Sequence, residues 1–280
     1  MARIGYLELL LEAEQHLDLG LVDATKETVD EYLRSVGDGL TIYQETGIAP
    51  PLFSAASALG AMLRKLALPP GAIHSLQEVE TVSPVAIGSQ VNVKALVEKS
   101  RRRGDLEFMT VVCTVESAGA VAIKSKSTVL VPGEISRETP LKEDKIEDVW
   151  WAQSGLPVIS RSIQQERLDA YAKISGDDNP LHLDSDFASA TQFGGIIAHG
   201  MLTLAFVSEM MTAAHGWHWL QTGSLRVRFR GAAYLGDQLE TWGDLAKEQN
   251  SSLTYDLGVR KSSTRQELIS GVAGLTIIQE

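Results

Sequence analysis

The stretch GIIAHGMLTLAFVSEMMTAA, from Gly195 to Ala214, has a counterpart early in the chain that indicates how the protein is built. That counterpart is GIAPPLFSAASALGAMLRKLA, and its first residue, Gly47, precedes Gly195 by 148 residues. Each stretch opens with a short loop and continues as an apolar run of helical length. The sequence therefore predicts two copies of one unit, each with a buried helix.

The elements around these two helices repeat as well. A polar helical segment precedes each copy, TKETVDEYLRSVGD in the first and SIQQERLDAYAKISGD in the second, with an offset of 139 residues. Alternating apolar and polar runs, which are typical of half-buried strands, end each copy. Each half is thus predicted to be an α+β layer in which an antiparallel sheet wraps one helix. We expect the two sheets to continue into each other, as a pseudo-twofold dimer within one chain.

The repeat also suggests domain boundaries. We assign residues 1–135 to the first unit, 136–157 to a linker that contains the charged segment KEDKIED, and 158–280 to the second unit. The N-terminal segment YLELLLEAEQHL has glutamates that interrupt its apolar run. This pattern predicts an amphipathic helix rather than a signal peptide.

Composition limits the classes of function. Of the 280 residues, 44% are hydrophobic and 22% charged, which indicates a folded soluble protein. A formal net charge of -11 argues against nucleic acid as a partner. No run approaches the roughly 20 apolar residues of a membrane span. The one cysteine, Cys113, lies in a strand-like run and suits a core position in a cytoplasmic protein.

The second copy contains an insertion whose residues could carry out catalysis. Because the offset rises from 139 to 148, the second copy has nine more residues before its apolar helix, and they include Asn179-Pro180-Leu181-His182. Proline turns the chain, so Asp177 and His182 can face one water as a general acid–base pair. The first copy keeps Asp38 without this segment, which predicts one active site per chain. From spacing alone, a helix-end aspartate and a buried structural histidine also stay open.

Three further residues flank this pair. Gly200 is predicted to begin the apolar helix, where free N–H groups favour developing negative charge on a bound carbonyl. Asn179 can hold a water or a backbone group without titrating. His199 is interpreted as a structural or pocket-wall histidine rather than a proton carrier. Together with the pair, they suit proton transfer next to a thioester carbonyl.

Two other polar patterns have competing interpretations. Arg226, Arg228 and Arg230 share one face of a predicted strand, which is either a solvated face or a site for phosphates. His215 and His218 have a spacing that metal ligands can show, but no carboxylate or cysteine accompanies them. We therefore expect no metal.

The segment SGDDNPLHLDSDFA followed by GGIIAHGMLTLAF resembles the signature of the MaoC-like dehydratases, the (R)-specific or type-2 enoyl-CoA hydratases with the hotdog fold. GIAPPLFSAA and IHSLQEVETVSPVAIGSQV resemble, more loosely, the degenerate N-terminal domain of two-hotdog members. The resemblance covers the chain from about Lys26. It implies a tandem hotdog with a degenerate first domain and a catalytic second domain.

The resemblance also implies roles for individual residues. Asp177 and His182 match the hydratase dyad, and Gly200 matches the glycine that binds the thioester oxygen. The residues assigned to substrate contacts are Asn179, His199, Phe229 and Arg230. The implied reaction is the reversible addition of water to a trans-2-enoyl-CoA, which gives a (3R)-3-hydroxyacyl-CoA without a metal or redox cofactor.

Other functions stay open at this point. They are a hydratase for a short branched or dicarboxylic enoyl-CoA such as a mesaconyl-like acid, a 3-hydroxyacyl-carrier-protein dehydratase, a hotdog thioesterase and a non-catalytic acyl-thioester-binding module. We also expect that two pseudo-dimeric chains can associate as a homodimer.

Overall fold

The structure of the protein, a computed structural model, describes residues 14–66, 68, 71–103, 106–132 and 155–278. Within these residues, the strands form a single 11-stranded sheet whose neighbouring strands are antiparallel. Two long helices are buried in the core beside this sheet.

The first half contributes these helices: α1 (Lys26–Val36), α2 (Ile42–Thr46) and α3 (Pro51–Leu66). Its strands are β1 (Gln15–Ala24), β2 (Ile73–Thr81), β3 (Ser89–Val97), β4 (Arg101–Arg103), β5 (Leu106–Ser117) and β6 (Ala120–Pro132).

The second half contributes these helices: α4 (Gln165–Ser175), α5 (Pro180–Leu183), α6 (Ser185–Ser189), α7 (Gly200–His215) and α8 (Trp217–Thr222). Its strands are β7 (Ser160–Ser162), β8 (Ser224–Phe229), β9 (Gln238–Gln249), β10 (Ser252–Lys261) and β11 (Glu267–Thr276).

The order of the strands shows the internal repeat. Across the sheet the order is β1-β3-β5-β6-β2-β8-β11-β10-β9-β7, and β4 pairs with β5 outside this path. The halves meet where β2 pairs with β8, with Gln77 opposite Val227. Counted outward from this junction, the strands of both halves come in matching order. The predicted continuous sheet and tandem α+β arrangement are therefore confirmed.

The helices α3 and α7 form the centre of the core. Every residue from Met201 to Thr212 in α7 is buried, and so is every residue from Pro51 to Met62 in α3. A helix that is buried on all sides has apolar residues all round rather than on one stripe. This explains why both helices appear in the sequence as long apolar runs.

One predicted element is wrong where the structure describes it. The N-terminal segment, predicted as a helix, ends in Gln15–Leu17, which are the first residues of β1 and pair with Val97–Ala95 of β3. Pairing with β3 satisfies the backbone groups that a helix would have bonded internally. The rest of that segment, up to residue 13, lies outside the described residues.

The domain boundaries stay a prediction. Most of the proposed linker, residues 136–154, also lies outside the described residues, and residues 155–157 lead towards β7. In the part of the chain that the structure describes, no helix is long and apolar enough to cross a membrane.

Candidate active site

The loop after α4 brings the two residues of the predicted dyad together. Gly176 ends the helix in the left-handed region, at φ 75°. Asn179 caps the one-turn helix α5 by accepting the N–H two residues on at 3.2 Å, with Pro180 at the first helical position. This turn brings a carboxylate oxygen of Asp177 and a ring nitrogen of His182 to within 4.8 Å of each other.

Hydrogen bonding fixes the state of the His182 ring. Nδ1 lies 2.8 Å from the carbonyl oxygen of Ile197. Since a carbonyl can only accept, Nδ1 carries the proton and donates it, which leaves a lone pair on Nε2. Burial lowers the pKa of His182, while the Asp177 carboxylate and the Ile197 carbonyl act in the opposite direction. A buried neutral imidazole with a free Nε2 is suited to accept a proton.

Burial has the opposite effect on the carboxyl of Asp177. It raises the pKa above the ordinary value, against the attraction of His182 and the hydrogen bond from the Asn179 N–H. A carboxyl group with a raised pKa beside an imidazole with a lowered pKa can exchange a proton at little cost. The arrangement is therefore that of a general acid–base pair.

The ring of His199 lies behind this pair. It is fully buried, and its Nε2 donates to the backbone carbonyl of Asp177 at 3.0 Å. Its centroid lies 3.8 Å from that of His182 and 5.0 Å from that of Tyr171. Burial lowers the pKa of His199 well below its usual value. The ring supports the pair from within the core, and its assignment to substrate contacts stays a prediction.

Gly200 is the first residue of α7 and cannot carry a side chain. A Cβ built there would lie 2.9 Å from Cε1 of Phe229. The phenyl ring of Phe229 in turn lies 4.6 Å, centroid to centroid, from the ring of His74 in the first half. The first N–H groups of a helix have no carbonyl partner within it. The N–H of Gly200 is therefore suited to the predicted contact with a thioester oxygen.

Arg230 lies on a different side of the sheet from Phe229. Arg226, Arg228 and Arg230 are exposed, whereas Val227 between them is buried. The three arginines line an open groove of about 660 Å³, and the Nε of Arg230 donates to the hydroxyl of Ser270. The structure thus brings Phe229, but not Arg230, to the start of α7.

The first half supports the catalytic loop through contacts that the sequence did not reveal. A Cβ on Gly60 of α3 would lie 1.8 Å from the carbonyl oxygen of Ser175. Nη1 of Arg64 donates to the following carbonyl at 3.2 Å, and Nδ2 of Asn179 donates to the carbonyl of Ala72 at 3.2 Å. The sequence did contain one sign of this contact, a glycine inside the apolar helix. A glycine there destabilises a helix by about 1 kcal/mol relative to alanine, so its presence indicates a close approach by another part of the chain.

The equivalent position in the first half holds a different set of groups. The carboxylate of Asp38 accepts the hydroxyl of Tyr43 at 2.6 Å. Nearby, Glu209 of α7 forms an ion pair with Arg161 at 2.7 Å, and Arg161 also donates to the carbonyl of Gly37. Burial and then the charge of Asp38 raise the pKa of Glu209 to about 7. No histidine occupies the position that corresponds to His182.

Comparison with known proteins identifies the second half. Residues 152–265 match the family described as MaoC like domain. This range includes the loop after α4, the start of α7 and strand β8.

Curated relatives match parts of the chain. A 3-hydroxybutyryl-CoA dehydratase of Methylorubrum extorquens is 30% identical over 90 residues, which are 32% of this chain and 57% of that protein. The 3-hydroxyacyl-thioester dehydratase X of Mycobacterium tuberculosis is 30% identical over 144 residues, 49% of this chain and 48% of that protein. The chain thus spans about half the length of these relatives.

Solved structures match almost the whole chain. One described as a MaoC-like dehydratase has a TM-score of 0.78 at 17% identity and covers 98% of this chain and 100% of its own. A Mycobacterium tuberculosis protein described as having a double hotdog fold has a TM-score of 0.69 at 10% identity, over 97% of each chain. At these identities the likeness shows the fold, and the predicted tandem hotdog is confirmed. The chain therefore has the double hotdog fold, and residues 152–265 in its second half match the MaoC like domain family.

Proposed function

We propose that the protein catalyses the reversible hydration of a trans-2-enoyl-CoA to a (3R)-3-hydroxyacyl-CoA. The observation that carries this proposal is the pairing of the partly buried Asp177 with the buried His182, whose ring is held by the Ile197 carbonyl. The names of two relatives, a 3-hydroxybutyryl-CoA dehydratase and a 3-hydroxyacyl-thioester dehydratase, support it.

The directions of the two pKa shifts suggest how the pair divides the chemistry. Nε2 of His182 takes a proton from water as the water oxygen bonds to C3 of the substrate. The electrons of the C2=C3 bond move towards the thioester carbonyl, and the carboxyl of Asp177 gives its proton to C2. The imidazolium then returns a proton to the carboxylate, which restores both groups. Because both act from one side, the addition is syn.

The start of α7 supplies the remaining group. As the enolate-like oxygen gains charge, the N–H of Gly200 donates to it, and the dipole of a 16-residue helix favours that charge. The Phe229 ring packs beside Gly200, where a residue without a side chain fits best. Every step moves a proton or adds water, so the proposed cycle needs no redox cofactor.

The substrate carrier and the setting belong to the same proposal. Acyl-CoA is the expected partner, and the relatives' names support a thioester of this kind. The proposed chemistry uses neither nucleic acid, a membrane nor a metal. A cytoplasmic location and a homodimer of the pseudo-dimeric chain stay predictions.

The test is the loss of enoyl-thioester absorbance with crotonyl-CoA, a medium-chain enoyl-CoA and mesaconyl-CoA in parallel. We expect loss with the wild type and little with Asp177→Asn, and we expect the (3R) product on a chiral column. No loss with any substrate, or equal loss with both proteins, would contradict the proposal. Release of free CoA thiol from a saturated acyl-CoA would indicate a thioesterase instead.

A further inference from the structure

The beginning of strand β2 lies next to the candidate active site, although β2 belongs to the first half. The carbonyl of Ala72, just before β2, accepts a hydrogen bond from Nδ2 of Asn179 at 3.2 Å. Two residues further on, the ring of His74 lies 4.6 Å, centroid to centroid, from the ring of Phe229 at the end of β8. His74 thus comes from the half without the dyad and contacts a residue that packs beside Gly200.

An irregularity in β2 directs His74 towards this site. Strict alternation along the strand would give His74 the orientation of Leu76, which lines the open groove with Arg228. The pairing of β2 with β6 instead shifts between His74 and Leu76, which makes Ser75 an extra residue. One extra residue reverses the face on which the preceding side chains lie, and bulges of this kind often re-aim a side chain next to an active site. His74 therefore lies on the face that carries Phe229.

The His74 ring has a fixed orientation and is uncharged near neutral pH. Its Nε2 lies 3.1 Å from the carbonyl oxygen of Leu76 and donates to it, because a carbonyl can only accept. Burial lowers the pKa of His74 to about 4, against the opposing effects of the Leu76 carbonyl and the Gln77 side chain. The contact with Phe229 is therefore one between two flat, neutral rings, tilted by 39°.

The Phe229 ring passes this contact on to Gly200. Its Cε1, Cζ and Cδ1 atoms would lie 2.9, 3.1 and 3.2 Å from a Cβ on Gly200, so the ring covers this side of the residue. A hydrogen bond to a developing charge is stronger where water is excluded. A Phe229 ring that could move away would let water approach Gly200 and compete with the substrate for its N–H.

We propose that His74 is a positioning residue, whose ring holds Phe229 against Gly200 and so keeps the start of α7 ordered and dry for the thioester oxygen. The effect on catalysis rests on the proposed function, whereas the contact between the rings does not. His74 contacts none of the reacting atoms in this scheme and acts through Phe229. Both halves then build the site, since the second supplies the dyad and the first supplies this support.

The first experiment separates support of Phe229 from general stability. His74→Ala removes the ring and its hydrogen bond, whereas His74→Phe keeps a flat ring but cannot donate to the Leu76 carbonyl. We expect both changes to lower the melting temperature, because both remove that donor. Only His74→Ala should lower kcat for hydration, by about 10-fold, which is less than the roughly 10²–10³-fold cost of losing an oxyanion donor. His74→Phe should recover most of this loss.

A matched control accompanies these variants. His16→Ala changes an exposed histidine of β1 and should have the melting temperature and kcat of the wild type. Circular dichroism checks that every variant is folded. His74→Leu, which keeps volume but not the flat ring, replaces His74→Ala if the latter does not fold.

The second experiment tests whether His74 acts through Phe229. Adding His74→Ala to Phe229→Ala should change kcat by less than about twofold, because the ring that His74 supports is already absent. The amide chemical shift of Gly200, measured by NMR without substrate, gives the same comparison independently of activity. His74→Ala should move this signal in the wild-type background and leave it unchanged in the Phe229→Ala background.

Every outcome decides between these alternatives. Wild-type kcat in His74→Ala, equal losses in His74→Ala and His74→Phe, or an undiminished effect of His74→Ala in the Phe229→Ala background overturns the inference. A chain that hydrates no enoyl thioester overturns the proposed function, and the Gly200 signal still shows whether His74 acts on Gly200. A hydratase in which that signal ignores His74→Ala overturns only the positioning role.

Discussion

The loops that follow α1 and α4 start alike and then diverge. Gly37 and Gly176 end these helices at φ 78° and 75°, and an aspartate follows each. After Asp177 the chain turns through Asn-Pro and presents His182, whereas after Asp38 it presents the hydroxyl of Tyr43 at 2.6 Å. The fold therefore supplies a partly buried carboxyl group in both halves. The residues after it decide whether that group has a base as its partner.

The helices that face these two loops also differ: α3 faces the loop with Asp177, and α7 lies near the loop with Asp38. Gly60 of α3 has no side chain and lets the backbone at Ser175 approach closely. In α7, Glu209 lies near Asp38 and binds Arg161, so ionic groups occupy this region of the first half. Helix α3 of the first half thus leaves room for the loop that carries Asp177, whereas α7 of the second half places a paired charge near the loop that carries Asp38.

Of the changes that test the difference between the two loops, removing the proposed base His182 should lower activity most. His182→Gln keeps a polar side chain but cannot accept and return a proton, so we expect kcat to fall by about 10²–10⁴-fold. Steady-state hydration of the best enoyl-CoA measures it. Tyr43→Phe changes the residue that contacts the first-half aspartate and is the control. Undiminished activity of His182→Gln would rule out the assigned base.

Adding one methyl group to α3 should cause the second-largest loss of activity. Gly60→Ala places a Cβ against the carbonyl of Ser175 and must displace the end of α4. Because small misplacements of catalytic groups are costly, we expect a loss in kcat of up to about 10²-fold. Gly39→Ala is the control, since nothing lies within 4 Å of its Cβ. Equal activities of the two variants would show that α3 does not position the dyad.

The contribution of Glu209, which lies near Asp38 of the first half, to the stability of the protein should depend on pH. The pKa of Glu209 is about 7 in the folded protein against an ordinary 4.5, so the folded state binds more protons in this interval. The stability that this provides is complete below about pH 4.5 and is lost as the pH rises through 7. We expect the melting temperature of the wild type, relative to Glu209→Gln, to fall across this range.

Thermal unfolding at a series of pH values makes this measurement. Gln249→Asn, an exposed change in β9 that neither adds nor removes a titratable group, serves as the control and should give a constant difference from the wild type. A constant or rising difference for Glu209→Gln would contradict the assigned pKa direction.

The smallest effect is expected at the first-half carboxyl group itself. Asp38→Asn keeps an acceptor for the Tyr43 hydroxyl and lies away from the proposed reaction. We expect kcat to change by less than about twofold, a barrier change under about 0.4 kcal/mol. The same hydration assay measures it. A loss as large as that of His182→Gln would mean that the first half is catalytic.

Much of the fold could be predicted because its signals are local and repeated. The helices and the alternating strands follow from periodicity, and the nine-residue difference in offset singled out the segment with Asn179 and His182. The contacts of Gly60 and Ala72 with the catalytic loop could not be predicted, since each joins residues more than 100 positions apart. Pairing with β3 likewise decided that Gln15–Leu17 form a strand.

The assignment of Arg230 shows a different limit. The resemblance placed Phe229 and Arg230 together at the substrate, but neighbouring residues of a strand point to opposite faces. Arg226 and Arg228 of β8, and Arg230 directly after it, line the outer groove, while the Phe229 ring lies against Gly200. Strand alternation was visible in the sequence and predicts that the two side chains lie on opposite faces, while their contacts with substrate stay predictions.

The junction between β2 and β8 has a consequence for how the protein is made. Strand β2 is bordered by β6 of its own half and by β8 of the other half. On a ribosome, the first half emerges before β8 has been synthesised, so one side of β2 has no native partner for that time. An unpaired strand edge is a template for pairing with other chains. The second half thus carries the proposed active site and, through β8, also covers the free edge of β2 once it has been synthesised.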